Sequence, residues 1–205
     1  MRGVVVAGIG TEVGKSVVSA ILCEALGARY WKPVASGIDD GPAESEFVSA
    51  LIQNGNERVF PETYLFGPSL SPHVAASMEG ASIELERFVL PSCEEPLVVE
   101  LAGGIFVPLN DRETNIDLLK KFSLPVVVVS RHYLGSINHT LLTLDALKSR
   151  NIPVAGIVFN GEELPDSERV ISTMSGARVL GRVPTLSAVT QQTIREVSQS
   201  FRGVL

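Results

Sequence analysis

The chain has 205 residues, of which 45% are hydrophobic and 20% are charged, so it can bury a core and is not a disordered protein. Its formal net charge of −6 excludes a general basic surface for nucleic acid or anionic membranes. Two cysteines, Cys23 and Cys93, do not suggest a disulfide scaffold and fit a reducing compartment, where both serve as apolar packing.

Six short apolar segments alternate along the chain with segments of helical periodicity. The apolar segments are residues 3–7, 28–34, 96–100, 125–130, 154–160 and 179–183. Four of them are almost continuous in Val, Ile and Leu, which is typical of strands buried on both faces of a parallel sheet. Apolar residues recur at helical spacing from Val17 to Leu26, before Gly27, and from Ile137 to Leu147.

This order of elements predicts an α/β fold: one domain over residues 1–205, with a doubly wound, mostly parallel sheet and helices on both faces. Residues 35–81 are the least regular region and are expected to form a lid or binding loop. The first apolar segment is too short for the core of a signal peptide. No segment has 18 consecutive apolar residues, so we expect a cytoplasmic protein that does not span a membrane.

A glycine-rich loop, Gly8-Ile9-Gly10-Thr11-Glu12-Val13-Gly14-Lys15-Ser16, joins the first strand to the first helix. Such loops direct backbone N–H groups at phosphate oxygens, while the lysine reaches the β- and γ-phosphates and the hydroxyl ligates Mg²⁺. Five residues separate Gly8 from Gly14, so the loop is a variant of G-x-x-x-x-G-K-[ST]. A dinucleotide loop is a weaker alternative, because Val13 stands at the third glycine of G-x-G-x-x-G. A plain glycine turn leaves Lys15 and Ser16 unexplained.

Two more charged residues are candidates for the same site. Glu100 ends an apolar strand, which is the Walker-B pattern in which a carboxylate holds Mg²⁺. Lys32 lies in an apolar segment, where burying its charge requires a compensating anion. An edge strand from which Lys32 extends to solvent explains the sequence equally well.

Several sequence blocks, in this order, resemble the dethiobiotin synthetases, the ATP-dependent ligases of biotin synthesis. The blocks extend nearly from end to end and are Gly10-Thr11-Glu12-Val13-Gly14-Lys15-Ser16, Trp31-Lys32-Pro33-Val34-Ala35-Ser36-Gly37, Ser71-Pro72-His73, Glu100-Leu101-Ala102-Gly103-Gly104, Pro108-Leu109, Leu134-Gly135-Ser136-Ile137-Asn138-His139, Gly156-Ile157-Val158-Phe159-Asn160 and Gly181-Arg182-Val183-Pro184. The phosphate loop alone indicates only the P-loop NTPase superfamily. The blocks around Lys32 and Asn138 are much more specific.

The resemblance implies that 7,8-diaminopelargonate, CO₂ and ATP react to dethiobiotin, ADP and phosphate. One amine captures CO₂ as a carbamate, a carbamate oxygen attacks the γ-phosphate, and the second amine closes the ureido ring on the mixed anhydride. The carbamate and the triphosphate are both anionic, so Lys15, Lys32 and Mg²⁺ are expected to supply positive charge in a partly dehydrated cleft.

The resemblance also implies residue roles at the substrate and the metal. Catalytic positions are Lys32, Lys15, Thr11 and Glu12, and Ser36 is similar to a substrate-contacting serine. Metal ligands are Ser16, Glu100 and a third acid, which the family has as aspartate in a Ser-Asp pair. Its nearest counterpart is Glu46, with Asp39 and Asp40 as alternatives.

At the nucleotide, Asn160 resembles the asparagine with which the family recognises the base. The chain has no acidic residue paired with it as in a strict guanine site, so the preferred nucleotide stays open. The other positions expected at the nucleotide are Glu12, Val13, Gly14, Lys15, Ser16, Val17, Glu100, Gly161, Pro184, Thr185 and Leu186. The start of a predicted helix is expected to bind the substrate carboxylate across a homodimer interface. Its residues are Gly135, Ser136, Ile137 and Asn138.

The sequence also differs from the family pattern at two further positions, and two other functions have to be considered. Gly10 occupies a position where the family usually has aspartate, and Leu101 one where it commonly has glycine, which could crowd the approach to Glu100. A ParA/MinD-like switch ATPase shares such a loop and sheet but typically carries a lysine early in the loop. A cobyrinate-type amidoligase needs a glutamine-hydrolysing domain, for which 205 residues leave no room. His139 is expected to be structural, and His73 either structural or in the cleft.

Overall fold

The computed structural model describes residues 3–205, and its centre is a parallel sheet of seven strands. The nine strands of the chain are β1 (Gly3–Gly8), β2 (Arg29–Trp31), β3 (Val34–Ser36), β4 (Val59–Phe60), β5 (Tyr64–Phe66), β6 (Leu97–Gly104), β7 (Val126–Arg131), β8 (Val154–Asn160) and β9 (Val179–Val183). The central sheet has the order β4-β2-β6-β1-β7-β8-β9, and β3 pairs with β5 in a separate two-stranded sheet. Within the described residues, every pairing of these strands is parallel.

Helices cover both faces of the central sheet. They are α1 (Lys15–Leu26), α2 (Glu44–Leu51), α3 (Gly55–Arg58), α4 (Pro72–Met78), α5 (Asn115–Phe122), α6 (Ser136–Lys148), α7 (Pro165–Ser175) and α8 (Gln191–Ser198). α1 packs against α8 on one face, while Phe122 of α5 contacts Trp31 from the other, with ring centroids 5.6 Å apart. The predicted fold class is therefore confirmed. The predicted end of α1 is confirmed as well, since Gly27 follows it at a φ of 61°.

The predicted strand over residues 28–34 is wrong in its extent. β2 ends at Trp31, and the chain resumes as β3 in the second sheet. Pro33 lies at the break, where it has no N–H to continue the ladder, and its carbonyl accepts hydrogen bonds from the N–H groups of Thr63 and Tyr64. The break lets Lys32 leave the sheet at the end of β2.

Residues 35–81 are more regular than predicted, since they contain β3, β4, β5 and helices α2, α3 and α4. The short strand β4 forms the edge of the central sheet, so β2 is an inner strand. The interpretation of Lys32 as a residue of an edge strand that reaches solvent is therefore wrong, and Lys32 is only 2% exposed.

The strand order brings three chemically important segments together. Because β2, β6 and β1 are parallel neighbours, Lys32 after β2, Glu100 on β6 and the loop after β1 meet at one edge of the sheet. Cys23 is buried in the core and Cys93 is half-buried, and neither forms a disulfide. None of the helices in residues 3–205 has the length and apolar character needed to cross a membrane.

Candidate active site

A cavity of about 810 Å³ opens at the carboxyl ends of β1, β2 and β6. Nine of the residues predicted at the site line it together, and they are Thr11, Glu12, Gly14, Lys15, Ser16, Val17, Lys32, Ser36 and Glu100. The other lining residues come from α2, from the segment between β5 and the start of α4, and from the end of β6 and the chain after it. They are Glu44, Phe47, Ser69, Leu70, Ser71, Pro72, Ala102, Gly103 and Val107.

The glycine-rich loop wraps the start of α1 in a conformation that requires glycine. Gly14 has a φ of 90°, and a Cβ added there would lie 2.0 Å from the side-chain nitrogen of Asn160. That nitrogen donates a hydrogen bond to the carbonyl of Val13 at 2.9 Å. Lys15 is 8% exposed, and its Nζ donates to the carbonyl of Gly10 at 3.2 Å. The loop is thus curled around the lysine, as a phosphate-binding loop is.

Glu100 is the centre of a buried cluster of charged and polar groups. Its Oε1 accepts hydrogen bonds from Ser16 Oγ at 2.9 Å and from Lys32 Nζ at 3.2 Å, and its Oε2 accepts one from Tyr30 at 3.0 Å. Lys32 Nζ also forms an ion pair with Glu44 at 2.8 Å. Lys32 therefore bridges two carboxylates, one buried and one partly exposed.

The cluster keeps its charged forms despite burial. Burial alone would raise the pKa of Glu100, but the charges of Lys32 and Lys15 and the hydrogen bond from Ser16 hold it below its ordinary value. Burial alone would lower the pKa of Lys32, and the carboxylates of Glu100 and Glu44 hold it above its ordinary value instead. Burial lowers the pKa of Lys15, partly offset by Glu100. Lys32 therefore remains a cation beside the cavity.

The structure does not bring Glu46, predicted as the third acid of the site, to the main cavity. Glu46 lines a separate cavity of about 500 Å³ against β4, whereas Glu44, two residues earlier on α2, faces the main cavity and Lys32. Successive residues of a helix point about 100° apart, so the two side chains lie on opposite sides of α2. Asp39 and Asp40 are exposed and do not line the main cavity.

The predicted base-binding residues lie beside the loop, outside the main cavity. Asn160 ends β8 and pairs in register with Val183 at the end of β9, and the backbone N–H of Gly161 donates to the carbonyl of Val183 at 2.8 Å. Pro184, Thr185 and Leu186 follow directly after β9. These segments flank the phosphate loop, where Asn160 contacts Val13.

The predicted carboxylate-binding turn opens α6. Gly135, with a φ of 103°, precedes the helix. The N–H of Ser136 donates to the carbonyl of Tyr133 at 2.9 Å, and no side chain caps the N–H groups of Ile137 and Asn138. Leu134 beside it is fully exposed. His139 in the first turn of α6 contacts the Tyr133 hydroxyl through Nδ1 at 2.8 Å, in line with a structural role.

The two other departures from the family pattern leave the cavity open. Leu101 is buried in the core and is absent from the cavity lining, because alternate residues of a strand point to opposite faces. Gly10 has open space around its Cα, and the nearest atom to an added Cβ is the Tyr133 hydroxyl at 3.9 Å. His73 is the second residue of α4, and its Nδ1 lies 3.2 Å from Ser71 Oγ.

Three residues at the site were missed from the sequence. Glu44 and Phe47 both line the cavity, and their spacing of three residues on a helix places them on one side of α2. Tyr30 contacts Glu100, and its spacing of two residues from Lys32 on a strand predicts a shared face. Both signals are present in the sequence, but they become useful only once α2 and β2 have been located.

This arrangement can bind a phosphorylated ligand and stabilise a second anion beside it. The curled loop and Lys15 provide donors for phosphates, while the buried cation of Lys32 lines the same cavity and shares the Glu100 carboxylate with Ser16 of the loop. The apolar side chains of Phe47, Leu70 and Val107 add a surface for an aliphatic group.

Comparisons with known proteins agree with these features. The family described as an AAA domain matches residues 2–193. The chain is 44% identical over 197 residues to the ATP-dependent dethiobiotin synthetase BioD of Christiangramia forsetii, covering 96% of this chain and 94% of that one. It is 43% identical over 201 residues to the BioD of Brucella anthropi, covering 98% and 93%. The solved ParA family ATPase of Chlorobium tepidum TLS has a TM-score of 0.56 at 14% identity, over 100% of this chain and 92% of that one, which shows the fold alone.

Proposed function

Because this chain belongs to the family of ATP-dependent dethiobiotin synthetases, we propose that it is an ATP-dependent ligase that converts 7,8-diaminopelargonate and CO₂ to dethiobiotin. The observation that carries the proposal is Lys32, a buried cation that faces the same cavity as the phosphate loop and is held by Glu44 and Glu100. A reaction between two anions needs such a cation between them.

The reaction has three bond changes. An amine of the substrate bonds to CO₂ and loses a proton to form the carbamate. A carbamate oxygen then bonds to the γ-phosphorus, and ADP leaves. The second amine bonds to the carbamoyl carbon and loses a proton, the bond from that carbon to the phosphate oxygen breaks, and the ring closes with release of phosphate.

The chain's residues mainly position these groups. Lys15 and the N–H groups of the loop hold the phosphates, Lys32 compensates the carbamate, and Thr11, Glu12 and Ser36 line the space between them. Phe47, Leu70 and Val107 offer apolar contact to the aliphatic chain of the diamine.

The oxygen donors around Ser16 suit Mg²⁺. Ser16 Oγ lies 2.9 Å from Glu100 Oε1, and the Glu44 carboxylate reaches the same lysine as Glu100. Residues 3–205 contain no group of three or more His, Cys, Asp or Glu side chains able to hold a metal ion by themselves. Mg²⁺ commonly takes one or two carboxylates and completes its shell with phosphate oxygens and water, so this donor set fits. Bound there with ATP, Mg²⁺ would neutralise phosphate charge.

We expect Glu44→Gln to weaken the dependence of activity on Mg²⁺, raising the Mg²⁺ concentration for half-maximal rate about tenfold through loss of one charged ligand. Glu46→Gln is the matched control, since it makes the same change two residues away in a separate cavity. Initial rates over a Mg²⁺ series measure both variants. If both changes raised the Mg²⁺ concentration for half-maximal rate equally, Glu44 would not be a ligand of the metal.

The proposal includes a homodimer and a cytoplasmic location, where thiols such as those of Cys23 and Cys93 remain reduced. The uncapped start of α6 supports an anion site for the substrate carboxylate, and the exposed Leu134 beside it supports contact with a second copy.

Leu134→Glu is expected to convert a dimer, of about twice 21.9 kDa, into a monomer, because it places a charge in an apolar contact. The KM for the diamine should rise while ADP binding stays unchanged. Light scattering after size exclusion gives the mass. Val89→Glu, at a side chain that is also well exposed, serves as control, and a native monomer would refute the dimer.

The experiment that tests the proposed function is detection of dethiobiotin by mass spectrometry. Purified protein is mixed with ATP, Mg²⁺, bicarbonate and 7,8-diaminopelargonate, and each component is omitted in turn. Product that requires all four supports the ligase. ATP binding without product would instead favour the switch ATPase, whose fold this chain shares.

A further inference from the structure

We propose that Tyr30 is a positioning residue that holds the Glu100 carboxylate so that Oε1 faces Ser16 and Lys32. This role rests on the proposed function, in which Glu100 helps to bind the Mg²⁺ that accompanies the nucleotide. Tyr30 donates to Glu100 Oε2 at 3.0 Å, and neither residue has any exposed surface. Tyr30 does not line the cavity, so it acts only through Glu100.

The sheet explains how Tyr30 reaches Glu100. β2 and β6 are parallel neighbours, and Tyr30 pairs in register with Val98. Glu100 lies two residues further along β6, on the same face as Val98 and roughly 6.6 Å away. A tyrosine side chain spans such a distance. Its hydroxyl therefore contacts the carboxylate from the side away from the cavity, while Ser16 and Lys32 contact it from the cavity side.

The two oxygens of the Glu100 carboxylate accept hydrogen bonds from different sides, and this explains how Tyr30 can orient the group. Oε1 receives two donors from groups that line the cavity, whereas Oε2 receives the Tyr30 hydroxyl. The buried Ser19 hydroxyl, one turn after Ser16 on α1, also helps to lower the pKa of Glu100, although it forms no hydrogen bond of ordinary geometry within the described part of the chain. Without the tyrosine hydroxyl, Oε2 loses the hydrogen bond that it accepts from Tyr30, and the carboxylate is held less firmly in the orientation that presents Oε1 to Ser16 and Lys32.

Tyr30→Phe tests this role because it keeps the ring and removes only the hydroxyl. We expect the gain in ADP affinity on adding Mg²⁺ to fall about tenfold or more, while affinity for ADP without Mg²⁺ stays within twofold of native. Isothermal titration with ADP, with and without Mg²⁺, measures both. The apparent KM for Mg²⁺ in turnover should rise by a similar factor, and high Mg²⁺ should restore kcat.

Tyr64→Phe is the matched control. Tyr64 is also buried, and its hydroxyl accepts a hydrogen bond from the N–H of Glu84 at 2.9 Å, away from the cavity. A purely structural role for Tyr30 predicts that the two variants lose thermal stability alike and keep the native response to Mg²⁺. That result would overturn the proposal.

A double-mutant cycle with Glu100→Gln gives a second test. If Tyr30 acts through the carboxylate, Tyr30→Phe changes the Mg²⁺ response of the native protein but adds nothing in the Glu100→Gln background. Additive effects would overturn the role. Dethiobiotin formation by the native protein, measured on the same preparation, reports separately on the proposed function, since ADP titration does not need the diamine.

Discussion

Lys32→Ala is expected to lower the rate of dethiobiotin formation by about 100- to 1,000-fold, the usual loss when one preorganised stabiliser of developing charge is removed. The affinity for Mg²⁺-ADP should stay close to native, because the phosphates are assigned to Lys15 and the N–H groups of the loop, whereas the charge of Lys32 is assigned to the carbamate. Product quantified by mass spectrometry and titration with Mg²⁺-ADP separate the two effects.

Removing Lys32 also leaves Glu100 buried without its main counter-ion, so we expect lower thermal stability. The double variant Lys32→Ala with Glu100→Gln removes the buried negative charge together with its counter-ion, and it should recover stability without recovering product. Lys121→Ala is the control lysine, since Lys121 donates only to the carbonyls of Leu85 and Glu86. Native rates of product formation by Lys32→Ala would remove this residue from the mechanism.

Lys15→Met is expected to weaken ATP binding itself, by roughly 30- to 140-fold, which corresponds to the loss of a charged hydrogen bond worth about 2 to 3 kcal/mol. Lys15 is held inside the loop by the Gly10 carbonyl, from where its ammonium group can turn to the phosphates. Methionine keeps the apolar stem in its buried position and removes only the charge. Titration with a non-hydrolysable ATP analogue measures the change.

The variants of the two buried lysines should therefore lose activity for different reasons, although both lysines line one cavity. Lys15→Met loses nucleotide affinity, and saturating ATP should recover part of its rate. Lys32→Ala keeps nucleotide affinity, and no ATP concentration should restore its rate. Nucleotide affinity within twofold of native in Lys15→Met would contradict the assignment of the loop, since the lysine is the only charged donor that the loop supplies.

Much of the site was predictable because its signals are local. The continuous apolar runs predict buried parallel strands, and the loop from Gly8 to Ser16 predicts phosphate binding, since each depends on residues adjacent in the chain. Glu100 was found in the same way, as a carboxylate at the end of an apolar segment, and Lys32 as a charged residue within one. The resemblance supplied their roles.

The errors fall where orientation depends on contacts between distant segments. Glu44 and Glu46 have the same chemistry, and only the docking of α2 places Glu44 against Lys32 and Glu46 in another cavity. Lys32 contacts Glu44 of α2 and Glu100 of β6 in its buried position, and both partners are distant from it in the chain.

The sequence by itself determined the fold class, the phosphate loop and the candidate charges of this protein, because periodicity and turn chemistry act over a few neighbouring residues. The tertiary structure alone decided which charges meet. Tyr30 and Glu100 are 70 residues apart, and they touch only because β2 pairs with β6 in one register. Packing between distant segments sets that register, and a one-residue shift would turn the side chains of β2 to the opposite face.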